Sequence, residues 1–257
     1  MTKSTVFGRQ GLAAAWLLAA LAVFALTGDR AWAGAAAACR GTPAPHTLQQ
    51  TQPLNLGELK LQVRYYVCSG AYDAELARII ADAQAFIEKR AGEVVRPAVV
   101  LDIDETSLSN FAEILANDFG YIPKGPCSVM PEGPCGWDTW VLEARAEVIA
   151  PMLALFNAAR SKNVAVFFIT GRHEEDGKRK ATIANLEKAG YSDWAGLVLR
   201  PPEASKLSIM QYKSGERAKI AAAGYTIIAN IGDQQSDLDG GFAERTYKLP
   251  NPFYYLP

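Results

Sequence analysis

Residues 99–110, VVLDIDETSLSN, run from three apolar side chains straight into two carboxylates, Asp102 and Asp104. A carboxylate at the mouth of a buried strand needs a metal, a hydrogen-bond network or a phosphate partner, because low-dielectric surroundings oppose its charge. A lone D-x-D is weak evidence, since such pairs also decorate loops and cap helices. A calcium loop counted from Asp102 would place Glu113 twelfth, but Ser107 stands where that loop needs glycine, and an apolar strand rather than a helix leads in. Two carboxylates in different surroundings can divide the labour of acid–base chemistry. Asp102, nearer the strand, would stay ionised as nucleophile or metal ligand, and Asp104 would carry a proton as general acid.

Two further polar clusters follow apolar runs. In FFITGR (167–172), the Thr170 hydroxyl and amide suit a phosphoryl oxygen, Gly171 lets the chain pass close, and Arg172 offers either a phosphate grip or an exposed salt bridge. His173 reads as a surface residue. In NIGDQQSDLDG (230–240), Asp233 and Asp237 suit a hard, oxygen-seeking cation that keeps some of its waters, Mg²⁺ above all; capping of the next helix competes for Asp237. Asp239 reads as a turn residue beside Gly240 and Gly241. A cation is also needed against charge developing on a transferred phosphoryl group. Lys213, at the start of a helix in QYKSGERAK, is assigned that part, with Lys206 in reserve.

The elements that must position these residues form a regular series. AYDAELARIIADAQAFIEKRAG (71–92) has helical spacing and ends at Gly92. The apolar run after Pro97 suits a strand buried on both faces. Then come a helix from about Pro151, a strand over 164–170, a helix over 178–190, a strand over 196–200, a helix through 214–224, strands over 225–233 and 245–249, and an aromatic tail, PNPFYYLP. Such alternation predicts an α/β fold, a Rossmann-like parallel sheet with helices on both faces. Ligands of such folds sit at the carboxyl ends of the strands, where all three acidic or polar clusters fall.

The 257 residues suffice for one sizeable core, or two modest ones, and no internal repeat is present. A net charge of −1 gives no footprint for nucleic acid. Residues 1–33 have a basic start (Lys3, Arg9), a 15-residue apolar run from Leu12 to Leu26, and a small-x-small site at Ala31–Ala33. These mark a cleaved signal peptide rather than a membrane anchor, for which the run is short. Cleavage leaves 23 basic against 26 acidic side chains. The exported chain, periplasmic or secreted and not held at a membrane, then carries four cysteines in a disulfide-tolerant compartment. Cys127 and Cys135 flank the turn-rich SVMPEGP and are paired here, leaving Cys39 with Cys68; zinc lacks ligands of suitable spacing. The expected organisation is a signal peptide over 1–33, an N-terminal extension over 34–70 tied by disulfide, and a catalytic domain over 71–257.

DIDET, TGR, KS and GDxxxD in this order resemble the haloacid dehalogenase superfamily of phosphohydrolases. Within it the chain is similar to exported acid phosphatases grouped with plant vegetative storage proteins and bacterial outer-membrane lipoprotein acid phosphatases. GWDTWVLEARAEVIAP (136–151), the block from Tyr212 to Leu238 and the ending KLPNPFYY add to the likeness. The resemblance implies that Asp102 forms an aspartyl-phosphate and that Asp104 protonates the leaving alcohol and then activates water. It further implies that Thr170 and Lys213 hold phosphoryl oxygens, and that Asp102, the Asp104 carbonyl and Asp233 bind Mg²⁺ with Asp237 in support. Some storage relatives lack the nucleophile; Asp102 is present here, which argues for an active enzyme on small phosphomonoesters. A phosphotransferase of the same fold, or a non-catalytic storage or binding protein, are the alternatives. Residues 110–150 are expected to form a small lid-like wall after the first strand. The resemblance also implies association of copies, with the aromatic tail as a candidate contact.

Overall fold

The computed structural model describes residues 54–256 except Asp176. The expected signal peptide and Cys39 lie outside the described residues, as does the extension up to residue 53. In chain order the elements are α1 (Leu56–Cys68), α2 (Ala71–Arg90), β1 (Pro97–Leu101), β2 (Leu108–Ser109), α3 (Phe111–Ala116) and α4 (Trp137–Leu142). They continue with β3 (Glu147–Val148), α5 (Ala150–Ser161), β4 (Ala165–His173), α6 (Lys178–Lys188), β5 (Gly196–Arg200) and a 3₁₀ turn (Pro202–Lys206). The chain closes with α7 (Ile209–Ala222), β6 (Thr226–Gly232), α8 (Gln235–Leu238) and β7 (Arg245–Lys248).

Five strands form one sheet in the order β5-β4-β1-β6-β7, and every pairing is parallel. The chain runs outward from β1 through β4 to β5, then returns to the other side for β6 and β7. Neighbours of the central strand therefore lead away in opposite directions, which opens a crevice at its carboxyl end.

Alternation along β1 divides the core. Val99 and Leu101 face the larger apolar cluster, with Leu76 and Ile80 of α2, Met152 and Phe156 of α5, and Leu186 of α6. Ala98 and Val100 face the smaller one, with Tyr212 and Ile220 of α7. Helices thus cover both faces, and each large apolar side chain buried this way stabilises the sheet by roughly 1.5–3 kcal/mol. Phe156, Phe168 and Tyr191 interlock, with ring centroids 5.0–5.9 Å apart.

Between β1 and α5 lies the expected insertion. Its framework is slight: β2 and β3 pair antiparallel, and the Cys127–Cys135 disulfide closes the loop ahead of α4. Cys68 is also disulfide-bonded. No helix among the described residues is long and apolar enough to cross a membrane.

Candidate active site

β1 ends at Leu101, but the Asp102 N–H still donates to the Ile231 carbonyl at 3.0 Å, so Asp102 is laid into the sheet. The chain then turns sharply. The Ile103 carbonyl accepts from the amides of Thr106, Ser107 and Leu108 at 3.3, 2.8 and 2.8 Å. Glu105 takes a left-handed φ of 53° to make the reversal. The Ser107 hydroxyl donates to the Asp102 carbonyl at 2.6 Å and pins the turn to the strand.

From α7, Lys213 Nζ reaches across to Asp102 Oδ1 and Asp237 Oδ1, each at 2.5 Å. Carboxylate oxygens of Asp102, Asp233 and Asp237 all lie within 4.8 Å of one another, and all three residues are buried. Three carboxylates sharing one ammonium leave negative charge uncompensated, and an all-oxygen donor set of this kind fits a divalent cation. Burial, opposed by Lys213 and reinforced by the neighbouring carboxylates, pushes the Asp102 pKa well above the usual range. Burial and Asp237 raise Asp233 likewise. Burial also works against the Lys213 ammonium, yet Asp102 and Asp237 overcome it and hold its pKa above the ordinary value.

Asp233 is held by its whole surroundings: Oδ1 accepts from the Thr106 hydroxyl at 3.0 Å, and Oδ2 from Gln234 Nε2 and Asn251 Nδ2 at 2.9 and 2.7 Å. Asp237 caps the next helix, as one of its two readings had it, and also joins the carboxylate cluster. Its Oδ2 accepts from the Gln234 amide at 2.9 Å, capping α8, while Oδ1 meets Lys213. Gly232 makes this approach feasible, since a Cβ there would lie 2.5 Å from Asp237 Cβ and 2.6 Å from Oδ2. Behind the loop, the fully buried Arg217 guanidinium donates to the carbonyls of Asp237, Asp239 and Gly241.

Asp104 stands outside this triangle. Arg172 Nη2 donates to its Oδ1 at 2.6 Å, and Nε lies 3.1 Å from both of its oxygens. The Arg172 ion pair is buried, not the exposed alternative. Thr170 is fully buried, and its Oγ1 accepts from the Arg172 amide at 3.1 Å; it is not among the residues lining the cavity. Gly171 is, and a Cβ there would meet nothing nearer than Ile209 Cδ1 at 3.7 Å. His173 is exposed at the rim. Lys206 lies in the exposed 3₁₀ turn.

These groups open into a cavity of about 460 Å³. The insertion supplies one wall through Ile114, Phe119, Tyr121 and Trp137, while Trp140 packs in the core. The chain's final residues supply another. Tyr254 donates to Glu105 Oε2 at 2.7 Å, and Gln234 and Ser236 bond to the backbone of Tyr254 and Leu256. Local sequence signals did not reveal Glu105, Asn110, Gln234, Asn251 or Tyr254 as parts of the site. Most of their hydrogen bonds join segments remote in sequence, and α3, which Asn110 precedes, carries no periodic signal of its own. Burial and the charges of Asp104 and Asp233 push the Glu105 carboxyl up to about 8.

A parallel α/β sheet with a buried carboxylate–lysine cluster at its central strand end is the architecture of a haloacid dehalogenase-like phosphohydrolase. Residues 29–257 match the family described as HAD superfamily, subfamily IIIB (acid phosphatase), and the chain belongs to that family of phosphoric monoester hydrolases. It is 32% identical to acid phosphatase 1 of Solanum lycopersicum over 196 residues, covering 76% of this chain and 73% of that protein. It is 36% identical to a stem 28 kDa glycoprotein of Glycine max (67% of this chain, 66% of the other) and 30% identical to vegetative storage protein 1 of Arabidopsis thaliana (62% and 55%). In fold it is similar to the class C acid phosphatase from Bacillus anthracis, with TM-score 0.59 and 22% identity over 78% of this chain and 85% of that one.

Proposed function

We propose that the chain is an exported, Mg²⁺-dependent acid phosphatase that hydrolyses small phosphomonoesters through an aspartyl-phosphate on Asp102. One observation carries this reading: Asp102 lines the cavity with Oδ1 on Lys213, inside a triangle of carboxylates suited to a dication. Asp102 would attack phosphorus while Asp104 protonates the departing oxygen; Asp104 would then take a proton from the hydrolytic water. Lys213, Gly171 and Arg172 would hold the phosphoryl group, with Thr170 acting from behind through the Arg172 amide. Asp102, the Asp104 carbonyl, Asp233 and Asp237 would hold Mg²⁺, whose charge offsets that of the phosphoryl oxygens. The room left at Gly171, which no protein contact demands, supports a ligand there. The signal-like residues 1–33 and the Cys127–Cys135 disulfide support export to a periplasmic or extracellular space. The organisation into signal peptide, tied extension and phosphatase domain is part of the same proposal.

Storage proteins among the relatives favour one competing reading, a non-catalytic one. Hydrolysis of para-nitrophenyl phosphate by the mature chain and Asp102→Asn, across pH and with Mg²⁺ or EDTA, decides between them. The expected result is activity on the acid side that disappears with EDTA and in the variant. An inactive wild type under every condition would overturn the phosphatase reading, and added glycerol would expose phosphotransfer.

A further inference from the structure

Asn110 is completely buried at the head of α3 and takes part in more bonds than a capping residue needs. Its amide N–H donates to Glu105 Oε1 at 2.5 Å. Its side-chain Nδ2 donates to Asp104 Oδ1 at 2.9 Å and to Glu105 Oε2 at 3.2 Å. Its Oδ1 accepts from the Trp140 indole at 2.8 Å. Chemistry fixes the orientation of this side-chain amide: the indole N–H can only donate, so Oδ1 must face Trp140 and Nδ2 is left to face the carboxyl oxygens of Asp104 and Glu105. Trp140 therefore sets which way Asn110 faces.

The two oxygens of Asp104 are consequently unequal. Oδ1 receives Asn110 Nδ2, Arg172 Nη2 at 2.6 Å and Arg172 Nε at 3.1 Å, whereas Oδ2 receives only the shared Nε contact at 3.1 Å. A proton on Oδ1 would point into N–H donors, while a proton on Oδ2 leaves them intact. We infer that Asn110, oriented by Trp140, is a positioning residue that together with Arg172 reserves Asp104 Oδ2 as the atom exchanging protons with substrate and water. This rests on the proposed general-acid role of Asp104. As Asp102 bonds to phosphorus and the ester P–O bond breaks, the Oδ2 proton passes to the departing oxygen, giving a neutral alcohol. When water bonds to phosphorus and the Asp102–phosphate bond breaks, Oδ2 takes that water's proton and the cycle closes.

A role in general acid catalysis can be separated from mere support by the leaving group, because a good one departs without help and a poor one does not. The test compares kcat/KM, which reports the step forming the phosphoenzyme, for 2,4-dinitrophenyl, phenyl and simple alkyl phosphates. Asn110→Ala is expected to stay within about threefold of wild type on the dinitrophenyl ester and to lose about 10–100-fold on the alkyl ester, part of the 10²–10⁴ that general acids contribute. Trp140→Phe keeps the ring and removes only the donor to Asn110; it should show the same selectivity at several-fold size, and it carries the test if Asn110→Ala does not fold. Asp104→Asn serves as the reference. Equal losses on all esters in the Asn110 and Trp140 variants, with Asp104→Asn selective, would overturn the inference alone. An unselective Asp104→Asn would sink the general-acid reading and the inference with it.

Discussion

At the residue scale, the site illustrates how burial makes a charge depend on its neighbours. Glu113 lines the cavity, and burial, only partly offset by the hydrogen bond from Asn117, lifts its carboxyl to about 7. The folded protein therefore keeps a proton that the unfolded chain releases near pH 4.5, so this contribution to stability is complete below that pH and fades as pH rises through about 7. Between those limits it amounts to about 3 kcal/mol. Denaturant unfolding at pH 4.5 and 7.5 should show Glu113→Gln losing less stability than wild type over that interval. Gly171 invites a second prediction. Since a Cβ there meets only ordinary contact, Gly171→Ala should change stability by less than about 1 kcal/mol yet raise KM for a phosphomonoester about tenfold, as melting and steady-state kinetics would reveal. Asp102, Asp104, Asp233 and Asp237 stood out because they follow apolar runs, whereas Lys213 was singled out only by its place before the last core strand. Glu105 was not, because nothing in the letters DIDET says which carboxylate the turn will bury.

At the scale of elements, the parallel sheet was readable wherever a strand was long and apolar. β1, β4, β5, β6 and β7 fall where hydrophobic runs predict them, within a few residues. The short pieces β2, α3, α4 and β3 were not, since side-chain bonds such as those of Asn110 and Asn117 hold them rather than periodicity. α7 also begins earlier than expected, at Ile209, where Ser208 and Gln211 form a reciprocal capping box. That early start puts Lys213 in the second turn of α7. Arg217, a turn further on, clamps three carbonyls of the Asp237 loop. Arg217→Met would leave these buried acceptors without their donor, a loss of about 3 kcal/mol or less. Metal titration of activity should then need about tenfold more Mg²⁺ to reach half-maximum, and an unchanged requirement would show that the loop holds its shape without the clamp.

At the scale of the whole molecule, segments far apart in sequence meet at one crevice, and the last of them in chain order is the tail. Asn251 reaches Asp233, and Tyr254 reaches Glu105 across 149 residues. Leu249 is fully buried and ends the packed sheet region, whereas the tail beyond it docks chiefly through side-chain bonds and Phe253. Removing residues 251–257 should therefore preserve most of the circular dichroism signal of the fold while abolishing turnover and weakening metal-dependent thermal stabilisation.

The same tail separates completing the fold from completing the pocket. The sheet is complete at Lys248, but the pocket lacks a wall until residues 251–256 have docked. A fragment clipped just short of the tail would keep every strand of the sheet and lose one side of its pocket.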